Sequence, residues 1–362
     1  VHLGRRREDG GVGEHQEGRV DPNSVDEDGN GKEGRGAQEG EREDDCIEGN
    51  VRVEEGCHQE GCSGQEGRRQ ADRAEEDGTE EGRSKEGSRR EALSRPGGRS
   101  GTVAHVRIVT WNVNSLRARL PRVEEWIAEV QPDVVAMQET KLADDAFPSL
   151  TFQEMGYESA HFGQGQWNGV ALLSKVGLDK VVDNFAPGIE PDHEARIITA
   201  TCGGVRISSV YVPNGRALDH DHYRYKLDWM ARLRAHVAAE NAPSDPVVVM
   251  GDFNIAPEDR DVWDPSKYVG ETHVSEPERA VLADLCAWGM QDLFRLQRPE
   301  GGLYSWWDYR GGSFHQGRGM RIDLVLGTTP VVARTRWAVV DRNARKGEQP
   351  SDHAPVVIDL DD

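Results

Sequence analysis

The clearest hydrophobic pattern in the chain lies at residues 246–254, PVVVMGDFN, where apolar, mostly β-branched residues from Val247 to Met250 run into Gly251, Asp252, Phe253 and Asn254. A short apolar run closed by polar residues predicts a strand buried on both faces, with its chemistry at its end. The design recurs. Residues 106–113 (VRIVTWNV) read as a strand that delivers Asn112, with Asn114 just beyond, and residues 133–137 as a second, ending in Gln138, Glu139, Thr140 and Lys141. Residues 169–174, 197–202 and 205–212 are further strands, the last two joined through a Gly203-Gly204 hairpin turn. The second of these leaves through YVPN, Tyr211 to Asn214. Residues 320–327 (MRIDLVLG) carry Asp323 among apolar neighbours, residues 331–340 and 354–360 close the set, and Ser351-Asp352-His353 stands between those two.

Helices show as apolar residues three and four apart. Leu116, Leu120, Val123, Trp126, Ile127 and Val130 form one stripe, stopped by Pro132; Tyr223, Leu227, Met230, Leu233 and Val237 form another; residues 278–288 make a third helix. Strands and helices alternate early and hairpins intervene later, which predicts an α/β fold: a four-layer α/β sandwich of two packed mixed sheets with outer helices. Asp252 and Asn254 are two apart and would project to one side if extended geometry persisted past Gly251. Read singly, they are turn residues.

Composition divides the chain. Residues 1–105 hold no aromatic residue and 21 of the 41 glycines, with 27 acidic side chains against 17 basic ones. A segment of that kind cannot bury enough apolar area to offset its conformational entropy, so a disordered tail is expected, followed by one folded domain at residues 106–362. A mis-set translation start is the other reading of the tail. The sequence begins with Val1 and has no Met before Met137, so Val103 or Val106 would begin the protein just ahead of its first strand. Deleting residues 1–102 is expected to leave melting temperature and turnover unchanged.

Cys46, Cys57, Cys62, Cys202 and Cys286 show no disulfide framework and fit a reducing compartment. Cys57, His58 and Cys62 lack the second half of a zinc site. No signal-peptide pattern and no apolar run near ~18 residues is present, so a soluble, cytoplasmic protein without membrane association is expected.

Asn112, Glu139, Tyr211, Asn214, Asp252, Asn254, Asp323, Asp352 and His353 are the candidates, and nearly every one stands at a strand end or in the loop that follows, where folds of this class gather their active sites. Oxygen donors dominate and one histidine stands among them, a set suited to a hard cation such as Mg²⁺ or Mn²⁺. An isolated carboxylate such as Asp323 between Ile322 and Leu324 is costly unless paired. Cation, oriented histidine and amides together describe phosphodiester hydrolysis, in which a carboxylate aligns the attacking water.

Eight strings in order resemble the exonuclease III family of abasic-site endonucleases, in the endonuclease/exonuclease/phosphatase superfamily. They are TWNVNSLRARL, QETK, NGVALLS, YVPNG, GDFNIAP, SWWDYR, RGMRIDLVL and SDHAPV, from Thr110 to Val356. The resemblance covers the whole domain and none of the tail. It implies a four-layer sandwich that cuts duplex DNA 5′ to abasic sites and trims or unblocks 3′ ends with Mg²⁺, as a monomer beside the nucleoid. Under it, Glu139 and Asn112 would serve the metal, with Asp252, Asn254, Asp352 and His353 near it. Asp252 would act on the attacking water with help from Asn254. Tyr211 and Asn214 would contact the scissile phosphate, and His353, steadied by Asp323, would stabilise its charge. Trp306, Met320 and Ile322 would line the pocket for the base-less sugar, with Arg216 and Arg310 at the DNA.

Two features depart from the pattern. Gln166-Trp167-Asn168 stands where many relatives carry a lysine, and the domain is itself acidic, so its basic face must be local. Arg117, Arg119, Arg216, Arg224, Lys226, Arg310 and Arg318 are the candidates. The competing readings are a superfamily phosphoesterase acting on inositol phosphates or sphingomyelin, and a non-catalytic nucleic-acid-binding module on the same fold.

Overall fold

A computed structural model of the chain describes residues 105–361; the expected tail lies outside this range but for its last residue. The first strand, β1 (His105–Asn112), leads through helix α1 (Leu116–Val130) to β2 (Val134–Gln138), then by α2 (Ser149–Glu154) to β3 (Glu158–Phe162) and β4 (Val170–Ser174). The second half opens with β5 (Asp179–Asp183), β6 (Ile197–Cys202) and β7 (Val205–Tyr211), crosses by α3 (Asp221–Glu240) to β8 (Val247–Asp252), and continues through α4 (Glu276–Ala287), β9 (Met290–Asp292) and α5 (Leu293–Gln297). After β10 (Asp323–Thr328) come α6 (Thr329–Val332), β11 (Thr335–Val340) and β12 (Val356–Asp361). Two six-stranded sheets result, ordered β11-β12-β1-β2-β4-β3 and β5-β6-β7-β8-β10-β9. Each holds one parallel pair, β1 with β2 and β7 with β8, and each pair is bridged by a long helix, as parallel neighbours require.

The layers follow from strand alternation. Ile108, Val134, Ala136, Val170 and Leu172 of one sheet face Ile198, Ala200, Ile207, Val248, Met250 and Val325 of the other in a shared core. Their sequence neighbours Val109, Val135, Met137, Ala171 and Leu173 point outward onto Trp126, Ile127 and Val130 of α1. On the far side Val247, Val249, Leu324 and Leu326 pack against Trp229, Met230 and Leu233 of α3 and Leu282 and Leu285 of α4. Strands covered on both faces read as unbroken apolar runs, which is what residues 247–250 display. The expected four-layer sandwich is the fold.

Glycines serve the architecture at a turn and at a close approach of two strands. Gly203 and Gly204 take positive φ (55° and 79°) in the tight β6–β7 turn. At Gly251 a Cβ would lie 1.9 Å from the Val210 carbonyl oxygen, so only glycine lets β8 lie against β7 beside the site.

Several expected boundaries move. Pairing in the MRIDLVLG stretch begins at Asp323, because Met320 instead makes isolated bridges to Val262 and Trp306. Residues 331 and 332 are helical, Pro330 opening α6, and the strand expected from Val331 starts at Thr335. The third helix starts at Glu276, two residues early, where a Ser275–Glu278 capping box closes its N-terminus. On α3 the buried stripe includes Lys226 and Trp229, while Leu227 is only partly buried.

Candidate active site

Register places the polar strand ends side by side. Tyr211 of β7 lies opposite Asp252 of β8, and Asp252 lies opposite Asp323 of β10, so three adjacent strands of the second sheet present three candidate side chains in a row. In the first sheet Asn112 ends β1 opposite Gln138, and Glu139 follows immediately. His353 enters from the turn before β12. That turn is clamped to β1: the Ser351 hydroxyl donates to the Asn112 carbonyl oxygen (2.7 Å), and the Trp111 indole N–H donates to the His353 carbonyl oxygen (3.3 Å). One end of the sandwich thereby gathers groups from both sheets.

Asn112 is the bridge between them. Its Nδ2 donates to Glu139 Oε1 (2.7 Å) and to Asp252 Oδ2 (3.0 Å). Asp252 Oδ1 accepts the Asn254 backbone N–H (2.9 Å), and Asn214 Nδ2 donates to Asn254 Oδ1 (3.2 Å). His353 Nδ1 meets Asp323 Oδ2 at 2.8 Å, while its Nε2 lies 3.7 Å from Asp252 Oδ2. Asn254 has φ of 50°, so the chain turns instead of continuing as a strand, and the turn brings the Asp252 carboxylate onto the backbone N–H of Asn254. Turn residue and site residue are here the same thing. Asn114 (43°), Glu139 (51°) and Lys141 (51°) also hold positive φ, a concentration of unfavourable backbone typical of functional loops.

Burial and like charge set the electrostatics. Burial, reinforced by the Asp323 and Glu139 carboxylates, pushes the Asp252 carboxyl up to about 7 against the pull of His353. Burial by itself would push the His353 imidazole down, but Asp323 and Asp252 outweigh it and hold it up at about 10, so the ring is a cation with two N–H donors. Burial and the Glu139 charge keep the Tyr211 hydroxyl protonated, and the Arg196 guanidinium stacks 4.6 Å over its ring. Glu139, Asp252 and His353 each offer a ligand atom within 4.8 Å of the others. The Glu139 and Asp252 carboxylates with their neighbouring amides fit a hard cation, and His353 is the third side chain of the group. A second group, Asp192, His193 and Glu194, is already neutralised, since Asp192 binds Arg232 (2.7 Å) and the Tyr225 hydroxyl (2.7 Å) and Glu194 binds Arg196.

Of the residues singled out in the sequence, Asn112, Glu139, Tyr211, Asp252, Asp323 and His353 converge, and Asn214 and Asn254 adjoin them. Asp352 stands apart as a strut, accepting from Asn114 Nδ2 (2.9 Å) and from the Trp306 indole (3.1 Å). Trp306 packs with Met320 and Ile322 in a small apolar cluster beside Ala256 and Val262, with Trp306 partly open and the other two buried. Arg216 is exposed next to Asn214, and Arg310 is exposed but held by Asp308 (2.7 Å). Lys226 leaves the proposed basic face altogether, for it is fully buried. Sequence reasoning passed over Lys141, which binds Glu139 (3.1 Å) and Asn114 (2.8 Å), and Arg196; the first stood in the QETK string, the second carried no signal.

Residues 109–353 match the profile of the Endonuclease/Exonuclease/phosphatase family. The chain is 34% identical to exodeoxyribonuclease III of Haemophilus influenzae, over 69% of this chain and 98% of that one. Among solved structures it resembles the 3′ phosphatase NExo from Neisseria bound to a product DNA hairpin (40% identity, TM-score 0.68, covering 71% of this chain and 99% of the other). It also resembles an AP endonuclease from Archaeoglobus fulgidus (35% identity, TM-score 0.69, covering 71% and 100%). Fold, convergent strand ends and family profile agree, and the chain belongs to the Endonuclease/Exonuclease/phosphatase family.

Proposed function

We propose that this domain is a metal-dependent DNA repair nuclease that hydrolyses the backbone of duplex DNA 5′ to abasic sites and processes 3′ ends, working as a monomer in the cytoplasm beside the nucleoid. The observation that carries the reading is the buried Asp252 carboxyl between the His353–Asp323 pair and the Asn112–Glu139 pair, in a chain this similar to exodeoxyribonuclease III. Mg²⁺, or Mn²⁺, held by Glu139 with Asn112 and Asp252 adjacent, would neutralise phosphate charge.

The chain's own groups divide the remaining work. Burial and the neighbouring carboxylates raise the Asp252 carboxyl toward neutrality, which suits a general base. Asp252 takes a proton from a water whose oxygen forms the new bond to phosphorus, as the bond from phosphorus to the 3′ oxygen of the preceding nucleotide breaks; that oxygen leaves with the bonding pair and takes a proton from solvent to become the 3′ hydroxyl. His353 donates through Nε2 to a non-bridging oxygen while Asp323 fixes the ring through Nδ1. The protonated Tyr211 hydroxyl and the Asn214 amide are further donors to that phosphate, and Asn254 orients both Asp252 and Asn214. Trp306 over Met320 and Ile322 supplies an apolar wall for a sugar without a base. Arg216 and Arg310 meet the backbone outside it, Arg310 exchanging Asp308 for phosphate.

Incubating the full chain with an abasic duplex and with a 3′-phosphorylated duplex, with and without Mg²⁺, tests this. Cation-dependent incision 5′ to the abasic site is expected. Removal of 3′ groups without incision is the second reading, favoured by the 40% identity to the Neisseria 3′ phosphatase. Tight binding of both duplexes with no cleavage at any Mg²⁺ concentration would refute both.

A further inference from the structure

Lys226 occupies a place on α3 that helical periodicity gives to the core, three residues after Tyr223 and four before Met230, and it is fully buried. An ammonium there is untenable without partners, and it has three for its three N–H groups. Nζ donates to the main-chain oxygen of Asn254 (2.6 Å), to that of Asn214 (3.1 Å) and to the Glu278 carboxylate. Glu278 is equally buried and has its own fixed place. It closes the capping box of α4 with the Ser275 hydroxyl (2.7 Å) and backbone N–H (3.1 Å), and accepts the His273 N–H (2.9 Å). One buried ion pair thus ties two helices to the β7–α3 and β8–α4 connections, which carry Asn214 and Asn254.

We propose that Lys226 is a positioning residue for hydrolysis. By holding the backbone carbonyls of Asn214 and Asn254 on one cation, it sets the distance at which the Asn214 amide meets Asn254 Oδ1 and at which the Asn254 N–H meets Asp252 Oδ1. The need for such a device is visible in the site. Asn214 is exposed and follows Pro213, which has no N–H, and Asn254 stands at φ 50°; Asn254 Nδ2 also donates to the Val212 carbonyl oxygen (3.0 Å) and its own carbonyl oxygen meets His273 Nδ1 (2.6 Å), so among these contacts Lys226 is the one that holds both carbonyls, of Asn214 and of Asn254, at once. Glu278 acts one step further back, fixing Lys226. The functional half of this inference rests on the nuclease reading above; the anchoring half does not.

A pair that served only stability could be exchanged for uncharged groups of similar shape with little effect on turnover. Lys226→Met together with Glu278→Gln makes that exchange, keeping the volume at 226 and the capping box at 278. The full-length double variant and wild type are compared in amide hydrogen exchange, in duplex affinity and in single-turnover cleavage of an abasic duplex with Mg²⁺. Faster exchange is expected around residues 212–216 and 252–256 with the sheet interiors unchanged. Duplex affinity should stay within about threefold, while cleavage falls roughly 10²-fold, the scale of a misplacement near 1 Å. Cleavage at the wild-type rate overturns the positioning role. So does unchanged exchange in the two loops, or acceleration spread evenly over the domain, which marks a pair that only stabilises. A wild type that leaves the duplex uncut refutes the nuclease reading instead, and the exchange pattern then decides the anchoring alone.

Discussion

His236 makes stability depend on pH in a way that can be worked out from its contacts. It lies on α3, buried against the second sheet, with Nδ1 accepting the Ala186 backbone N–H (2.9 Å) and Nε2 meeting Thr199 Oγ1 (3.1 Å), which in turn meets Ser208 Oγ (2.8 Å). This pattern demands the neutral ring, because a proton on Nδ1 would face the Ala186 N–H donor. Burial, opposed only by Glu240, accordingly pushes the imidazole down from 6.5 to about 4. The unfolded chain therefore binds more protons than the folded one between those values, so the contribution is fully present above pH ~6.5 and is lost as pH falls toward ~4. Linkage gives a loss of about 2 kcal/mol by pH 5 and about 3 kcal/mol by pH 4. For a domain of this size 2 kcal/mol corresponds to a Tm lower by about 4–8 °C. His236→Asn keeps an acceptor near Ala186 and cannot titrate. Urea unfolding of wild type and variant at pH 7.5, 6.5, 5.5 and 5 subtracts every other titrating group, and the gap between the two should close by about 2 kcal/mol across that range. Parallel stability curves for the two proteins would show that the folded state accepts the proton and that the contacts of His236 do not carry the effect.

Three further perturbations separate roles at the site. Asp252→Asn removes the proposed base, so single-turnover cleavage should fall at least ~10²-fold while duplex binding survives or tightens, like-charge repulsion of the phosphate being relieved; unchanged cleavage rules Asp252 out as the base. Glu139→Gln should weaken the proposed cation site, and a Mg²⁺ titration should recover part of the lost rate at high concentration, whereas a loss that no concentration repairs points to a role apart from cation binding. Trp306→Ala opens the apolar wall of a partly exposed residue, so abasic-site cleavage should drop while stability falls by only about 1–2 kcal/mol; the ~3–5 kcal/mol typical of a core aromatic would make Trp306 a structural residue.

The sequence by itself determined the class of the fold and where its chemistry would appear. Doubly buried strands must be unbroken apolar runs and outer helices must be striped, so residues 134–137, 247–250 and the α1 face were legible without coordinates. Polar residues that end such runs, Asn112, Glu139, Tyr211 and Asp252, could be read because a buried strand tolerates a carboxylate or amide only where it emerges. Partnership was another matter. Asp323 and His353 lie 30 residues apart, and only the β10–β8 register and the clamp of Ser351 on β1 bring them to 2.8 Å. Asp352, next in sequence to His353, turns away to Asn114 and Trp306, since neighbours on an irregular turn need not share a direction. Lys226 reads in sequence as a surface charge on the expected basic face. Its burial depended on a carboxylate and two carbonyls delivered by α4 and two loops up to 52 residues away, and no local pattern encodes a charge whose partners arrive only when the helices pack.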